Sequence, residues 1–113
     1  MLIFLSRELT FLATPKTGTT AVEMALKPAA EIVFSRNRKH LTALRYKKRV
    51  LPFLQDTFSA SPEPLAVMRD PIAQIRSWYR YRSQPRLDGK VLSTKGLTFE
   101  QFALEVISDA PPP

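Results

Sequence analysis

Cysteine is absent from the 113 residues, histidine and tryptophan occur once each, and glycine occurs three times. Without thiols the chain has no disulfide and no thiolate metal site, and one histidine with scattered carboxylates does not make a zinc site. No apolar run approaches the roughly 20 residues that a membrane-spanning helix needs. The N-terminal Met1-Leu2-Ile3-Phe4-Leu5 is apolar, but Arg7 and Glu8 stop it. It has no basic leader and is too short for a signal segment, so a cytoplasmic location is the default expectation. Acidic residues are also scarce, 10 against 17 lysines and arginines, for a net charge of +7. That balance favours polyanionic partners: nucleotides, nucleic acid, anionic glycans or an anionic membrane surface.

Proline, by contrast, is abundant at 10 residues, placed at element edges and in a tail, Pro111-Pro112-Pro113. The length suits one small domain, residues 1–110, followed by a proline tail, 111–113, that can continue neither helix nor sheet. Two short apolar runs, 2–5 and 9–13, read as strands, in the manner of a hairpin. The second leads into Thr14-Pro15-Lys16-Thr17-Gly18-Thr19-Thr20. Beyond it Val22, Ala25 and Leu26 fall at helical spacing, and Pro28 ends the helix. Residues 31–35 predict a further strand, and Leu44, Val50, Leu51 and Leu54 predict a helix after Thr42, perturbed by Pro52. Leu65-Ala66-Val67-Met68 has the pattern of a buried parallel strand. Asp70-Pro71 marks a helix start, with Ile72, Ile75 and Trp78/Tyr79 as its apolar face. Residues 83–96 read as a loop. Thr98-Phe99-Glu100-Gln101 is a capping box for a last helix. Alternating strands and helices predict an α/β fold with a mostly parallel sheet.

The 14–20 segment stands where a strand turns into a helix, and free amides at such a point bind anions. Gly18 permits close backbone approach, Lys16 adds charge, and Thr17, Thr19 and Thr20 add hydroxyls. An ordinary polar turn with an N-cap is the plainer reading. A nucleoside-triphosphate loop needs glycine, four residues, then Gly-Lys-Ser/Thr. Here Thr19 follows Gly18, Ala13 stands five residues before it, and the lysine precedes the glycine, so the ATP pattern is not met.

Pro15-Lys16-Thr17-Gly18-Thr19-Thr20 resembles the Pro-Lys-Ser/Thr-Gly-Thr-Thr loop of sulfotransferases, which use 3′-phosphoadenosine 5′-phosphosulfate (PAPS). That family's second signature is an apolar strand, then Arg-Asn/Asp-Pro, with a serine eight residues after the arginine. Leu65 to Pro71, with Arg69 and Ser77, is similar in order and spacing. An arginine at a strand's C-terminal end points into the crevice where α/β ligands bind, and its guanidinium can grip a phosphate through two hydrogen bonds. The plainer reading pairs Arg69 with a carboxylate and leaves Ser77 an incidental helix serine. A looser likeness lies in Arg38-Lys39-His40-Leu41, against Lys-Thr-His-Leu-Pro of the cytosolic enzymes. No residue separates Lys39 from His40, and Thr42 replaces the proline.

The resemblance implies a P-loop NTPase-like three-layer sandwich. It implies PAPS as co-substrate, without metal, and sulfonate transfer to a hydroxyl or amine acceptor, anionic or carbohydrate in kind. Lys16 would stabilise the leaving phosphate oxygen and His40 would be the general base. Lys16, Thr17, Gly18, Thr19 and Thr20 would hold the 5′-phosphate, with Arg69 and Ser77 on the 3′-phosphate. Family members with the histidine element place tryptophan after the loop, where this chain has Ala21. Such domains are normally much longer, so the resemblance implies an N-terminal part or a shortened member. A non-catalytic nucleotide- or polyanion-binding module and a P-loop nucleotide kinase are the competing readings.

Two basic stretches complete the sequence. Arg36, Arg38, Lys39, Arg45, Lys47, Lys48 and Arg49 crowd one. Arg76, Arg80, Arg82 and Arg86, interleaved with Trp78, Tyr79 and Tyr81, crowd the other. Arginines among aromatics suit a nucleic-acid surface, but a solvated helix face with its rings turned inward is the favoured reading, and a third use is to receive an anionic acceptor or stabilise the doubly phosphorylated donor. Glu23, Glu100 and Glu105 are expected to face solvent.

Overall fold

The computed structural model describes residues 1–109 and Pro111, so most of the proline tail lies outside the described residues. It is α/β, and it divides into two compact units, Met1–Met68 and a second that begins at Arg69.

The first unit is built on a four-stranded mixed sheet in the order β3-β1-β2-β4. Strands β1 (Leu2–Phe4) and β2 (Leu9–Leu12) pair antiparallel. A 3₁₀ turn, Leu5–Arg7, joins them, and Glu8 closes it in the left-handed region at φ 50°. So short a link permits only an antiparallel hairpin. Strand β3 is just Ile32–Val33, shorter than the run 31–35 suggests, and pairs antiparallel with β1. Strand β4 (Glu63–Ala66) lies parallel to β2, with Leu12 opposite Ala66. The sheet therefore has one parallel pair and two antiparallel pairs, where the alternation of elements predicts a mostly parallel one. Parallel pairing is confined to the strands separated by the long helical crossover.

The run 65–68 differs from expectation in both extent and burial, since only Leu65 and Ala66 belong to β4. Leu65 is 51% exposed, Val67 38% and Met68 91%. An apolar run signals burial only if another layer covers it, and among the described residues β4 is an edge strand. The Glu63 amide donates to the Glu8 carbonyl. Backbone groups alternate along a strand, so Glu63 and Leu65 bond inward and Pro64 turns its ring nitrogen to the open edge. Proline, with no N–H to donate, is tolerated there.

Helix α1 (Thr19–Leu26) follows β2 and the loop, and passes into a 3₁₀ turn, Lys27–Ala29, at Pro28. Thr42 caps α2 (Ala43–Arg45) by accepting from the Arg45 amide. One π-helical turn, Tyr46–Val50, then leads into α3 (Leu51–Phe58), with Pro52 in its first turn. Proline cannot donate to the preceding turn, and the wider π turn is where the ladder adjusts. Tyr46, Val50 and Leu54 point inward and join Met1, Ile3 and Leu12 in the core. Tyr46 is fully buried. Its hydroxyl accepts from Thr10 Oγ1 at 3.0 Å and donates to the Pro62 carbonyl. One side chain thus ties β2, the helix and the approach to β4.

The second unit is helical. Asp70 caps α4 (Pro71–Arg82), accepting from the Ala73 amide at 2.8 Å, with Pro71 in the first turn. A 3₁₀ turn, Pro85–Leu87, interrupts the expected loop. The Thr98–Gln101 capping box is complete at the start of α5 (Phe99–Val106). Tyr79 packs edge-on to Phe99 and against Phe102, and its hydroxyl donates to the Leu97 carbonyl at 2.7 Å. Ile72, expected on the apolar face, is 61% exposed.

Candidate functional site

In the first unit the loop after β2 is shaped by two left-handed residues, Lys16 at φ 63° and Gly18 at φ 80°. Lysine is uncommon in that region, whereas glycine enters it without steric cost. Gly18 is the N-cap of α1, and no side chain caps the helix. The first amides of an α-helix have no intrahelical acceptor, so α1 presents uncapped donors and the positive end of its dipole.

The threonines divide into two kinds. Thr17 Oγ1 donates to the Thr14 carbonyl at 2.8 Å, and Thr19 Oγ1 donates to the same oxygen at 3.3 Å. Each hydroxyl has one hydrogen, so both are committed to bracing the loop. Thr19 is buried, and Thr20 is exposed. Of the three hydroxyls, only that of Thr20 lies on the exposed side of the loop.

His40 belongs to the same neighbourhood. Its Nδ1 lies 2.6 Å from the carbonyl oxygen of Ala13, the residue just before the loop. A carbonyl can only accept, so Nδ1 carries a proton, and in the neutral ring Nε2 keeps the lone pair. The preceding residue is fixed as well. Lys39 Nζ meets Glu23 Oε2 at 3.2 Å, and the Met1 ammonium meets Glu23 Oε1 at 3.2 Å and the Lys39 carbonyl at 2.9 Å. Glu23 is thus no solvent-facing residue. It binds α1, the chain start and the histidine segment together. Burial pushes its carboxyl up, but the hydrogen bonds from the Met1 ammonium and Lys39 outweigh that and hold it below the usual value. Burial lowers the Met1 ammonium, against the pull of Glu23.

The second unit brings Arg69 and Ser77 together. They line one cavity of about 210 Å³ with Ala73, Arg76 and Arg80. On α4, residues 73, 76, 77 and 80 recur at steps of three and four, which sets them on one face. The sequence groups Arg76 and Arg80 with Arg82 and Arg86 in one basic stretch and does not separate them as phosphate ligands. Their spacing to Ser77 was the available signal, masked by the other arginines. The aromatic contacts sort the set. Arg82 stacks 5.3 Å from the Trp78 ring centroid and 5.8 Å from Phe102, and Arg86 lies 4.8 Å from Tyr81. These two serve packing. Arg76 lies 5.4 Å from the Phe99 centroid while lining the cavity. Neither Arg76 nor Arg80 has a carboxylate partner among the described residues. The arginine–aromatic interleaving is thereby accounted for within the unit.

The described residues contain no cluster of histidine and carboxylate able to hold a metal ion, and no helix long and apolar enough to cross a membrane. The chain matches no family model, no curated protein sequence and no solved structure.

Proposed function

We propose that this chain carries the donor-binding part of a P-loop-like sulfotransferase fold and transfers a sulfonate from PAPS to a hydroxyl or amine. The observation that carries the reading is the uncapped start of α1. It follows left-handed Lys16 and Gly18, beside a histidine whose Nδ1 is held on the Ala13 carbonyl. This arrangement offers an anion seat and a base with its free nitrogen defined. PAPS supplies the activated sulfur. The loop amides with Thr20 hold the 5′-phosphate, braced by Thr17 and Thr19. Lys16 stabilises the charge that grows on the leaving phosphate oxygen. The acceptor oxygen or nitrogen bonds to sulfur as the sulfur–oxygen bond to the phosphate breaks, and His40 Nε2 takes the acceptor's proton. Arg69 and Ser77, with Arg76 and Arg80, hold the 3′-phosphate. Three arginines and a serine on one cavity suit a dianion.

Calorimetry with 3′-phosphoadenosine 5′-phosphate (PAP) against ATP–Mg tests the reading. Tight binding of PAP, weakened by Lys16→Ala and by Arg69→Ala, is expected. Preference for ATP–Mg, indifferent to Arg69→Ala, sinks it in favour of a nucleotide kinase. Binding of PAP with no transfer to any hydroxyl or amine acceptor favours a non-catalytic module.

A further inference from the structure

A cavity of about 190 Å³ lies within the first unit, between α1 and the chain at β3. Its floor and walls are apolar: Leu2, which is buried, with Val33 and Phe34. Met24 also faces it and is 75% exposed, and Val33 is 37% exposed. Apolar surface so presented gains by being covered, at roughly 25 cal/mol per Å². The volume is small. A cavity of about 150 Å³ accepts benzene, whereas drug-sized ligands need about 300 Å³ or more. One ring or a short chain is the fitting size.

The rim is cationic. Lys27 and Arg36 stand on it, and neither has a carboxylate partner among the described residues. Glu23 is the one acid at the cavity, and both of its oxygens are engaged, by the Met1 ammonium and by Lys39. Arg36 holds a left-handed backbone at φ 52°. A non-glycine residue is uncommon in that region, and strain of this kind gathers at ligand clamps. The cavity also adjoins the catalytic elements. Thr20 of the phosphate loop lines it, and so does Lys39, the neighbour of His40.

We infer that this cavity is the acceptor site and takes a small amphipathic anion: one ring or short chain, seated on Leu2, Val33 and Phe34, with its acidic group on Lys27 and Arg36. The acceptor role rests on the sulfotransferase reading. The binding of such an anion does not.

The test uses the full chain without nucleotide, titrated in solution NMR with 4-hydroxybenzoate and, in parallel, with its neutral analogue 4-hydroxybenzamide. The benzoate should shift amide signals at 20–24 and 33–36 and bind about fivefold tighter than the benzamide, the scale of a partly exposed ion pair. The Lys27→Ala, Arg36→Ala double variant should erase that preference while leaving the spectrum folded. Val33→Trp, which fills the cavity, should weaken both ligands. If Val33→Trp unfolds the chain, the exposed Lys27→Glu variant serves instead, by reversing the preference. Equal affinity for the two ligands in the wild type, shifts confined to other residues, or no binding overturns the proposal. A second arm adds PAPS and looks for sulfonated product. Anion binding at this cavity without transfer to any acceptor would sink the enzyme reading and leave the cavity assignment standing. Transfer to the benzamide as fast as to the benzoate would overturn the acceptor preference alone.

Discussion

His40 Nδ1 lies 2.6 Å from the Ala13 carbonyl oxygen, so the ring is oriented by the residue just before the 14–20 loop. Its free nitrogen is thereby defined without any carboxylate partner. Under the sulfotransferase reading His40→Ala should lower kcat by about 10²- to 10⁴-fold, the range for loss of a general base. Affinity for PAP, measured by calorimetry, should change little. A comparable loss of affinity would make His40 a structural support for the loop.

Arg76 and Arg80 should behave unlike Arg82, although all three lie on α4. Either Arg76→Ala or Arg80→Ala should weaken PAP binding about tenfold, as expected for one charge-assisted hydrogen bond, and more steeply at low salt. Arg82→Ala should leave binding intact and lower the melting temperature, since its guanidinium packs on Trp78 and Phe102. Equal binding losses in all three would mean that a diffuse positive field, and not the cavity, attracts the ligand.

Tyr46→Phe removes one oxygen from the core. The change leaves Thr10 Oγ1 without its acceptor and the Pro62 carbonyl without its donor, both beside fully buried groups. Unfolding in urea should show a loss of about 2 kcal/mol, the scale of stranding buried polar atoms. Thr10→Val together with Tyr46→Phe should cost less than the sum of the single changes, because the two groups share one network.

Stability should also fall in acid. Glu23 is held below its usual value of 4.5 for the reasons given above. Glu31 is lowered too, chiefly by hydrogen bonding from Ser6. A depressed carboxyl binds protons less readily when folded, so the unfolded chain takes up more protons as pH falls. The stabilisation is present above the unfolded value and is lost as pH drops through the folded one. Melting temperature should therefore decline below pH 4.5, and Glu23→Gln should flatten part of that decline. An unchanged pH profile in Glu23→Gln would show that the Met1–Glu23–Lys39 cluster contributes nothing to folding.

Local signals in the sequence were legible because local chemistry decides them. The hairpin, the Asp70-Pro71 helix start and the Thr98–Gln101 capping box each depend on residues within a few positions. So does the loop–helix junction at Gly18. Long-range matters were not legible. Glu23 reads as a surface residue on its own helix, and its partners Met1 and Lys39 lie 22 and 16 residues away. Leu65 to Met68 looks buried because apolar runs usually are, but burial depends on what covers the sheet. The arginines of 76–86 look alike until the rings of α4 and α5 claim Arg82 and Arg86.

The edge strand β4 carries a consequence for how copies of this chain meet at high concentration. Its exposed Leu65, with Val67 just beyond the strand, is the sort of side chain that recruits a neighbour's strand, and among the described residues no strand pairs beyond β4. Pro64 sits in that ladder with nothing to donate, so a strand arriving from another molecule meets a missing rung at the centre of the segment. The same proline that the sheet tolerates only at its margin thus acts as a guard against fibre growth, and its replacement by valine would give that growth an unbroken template.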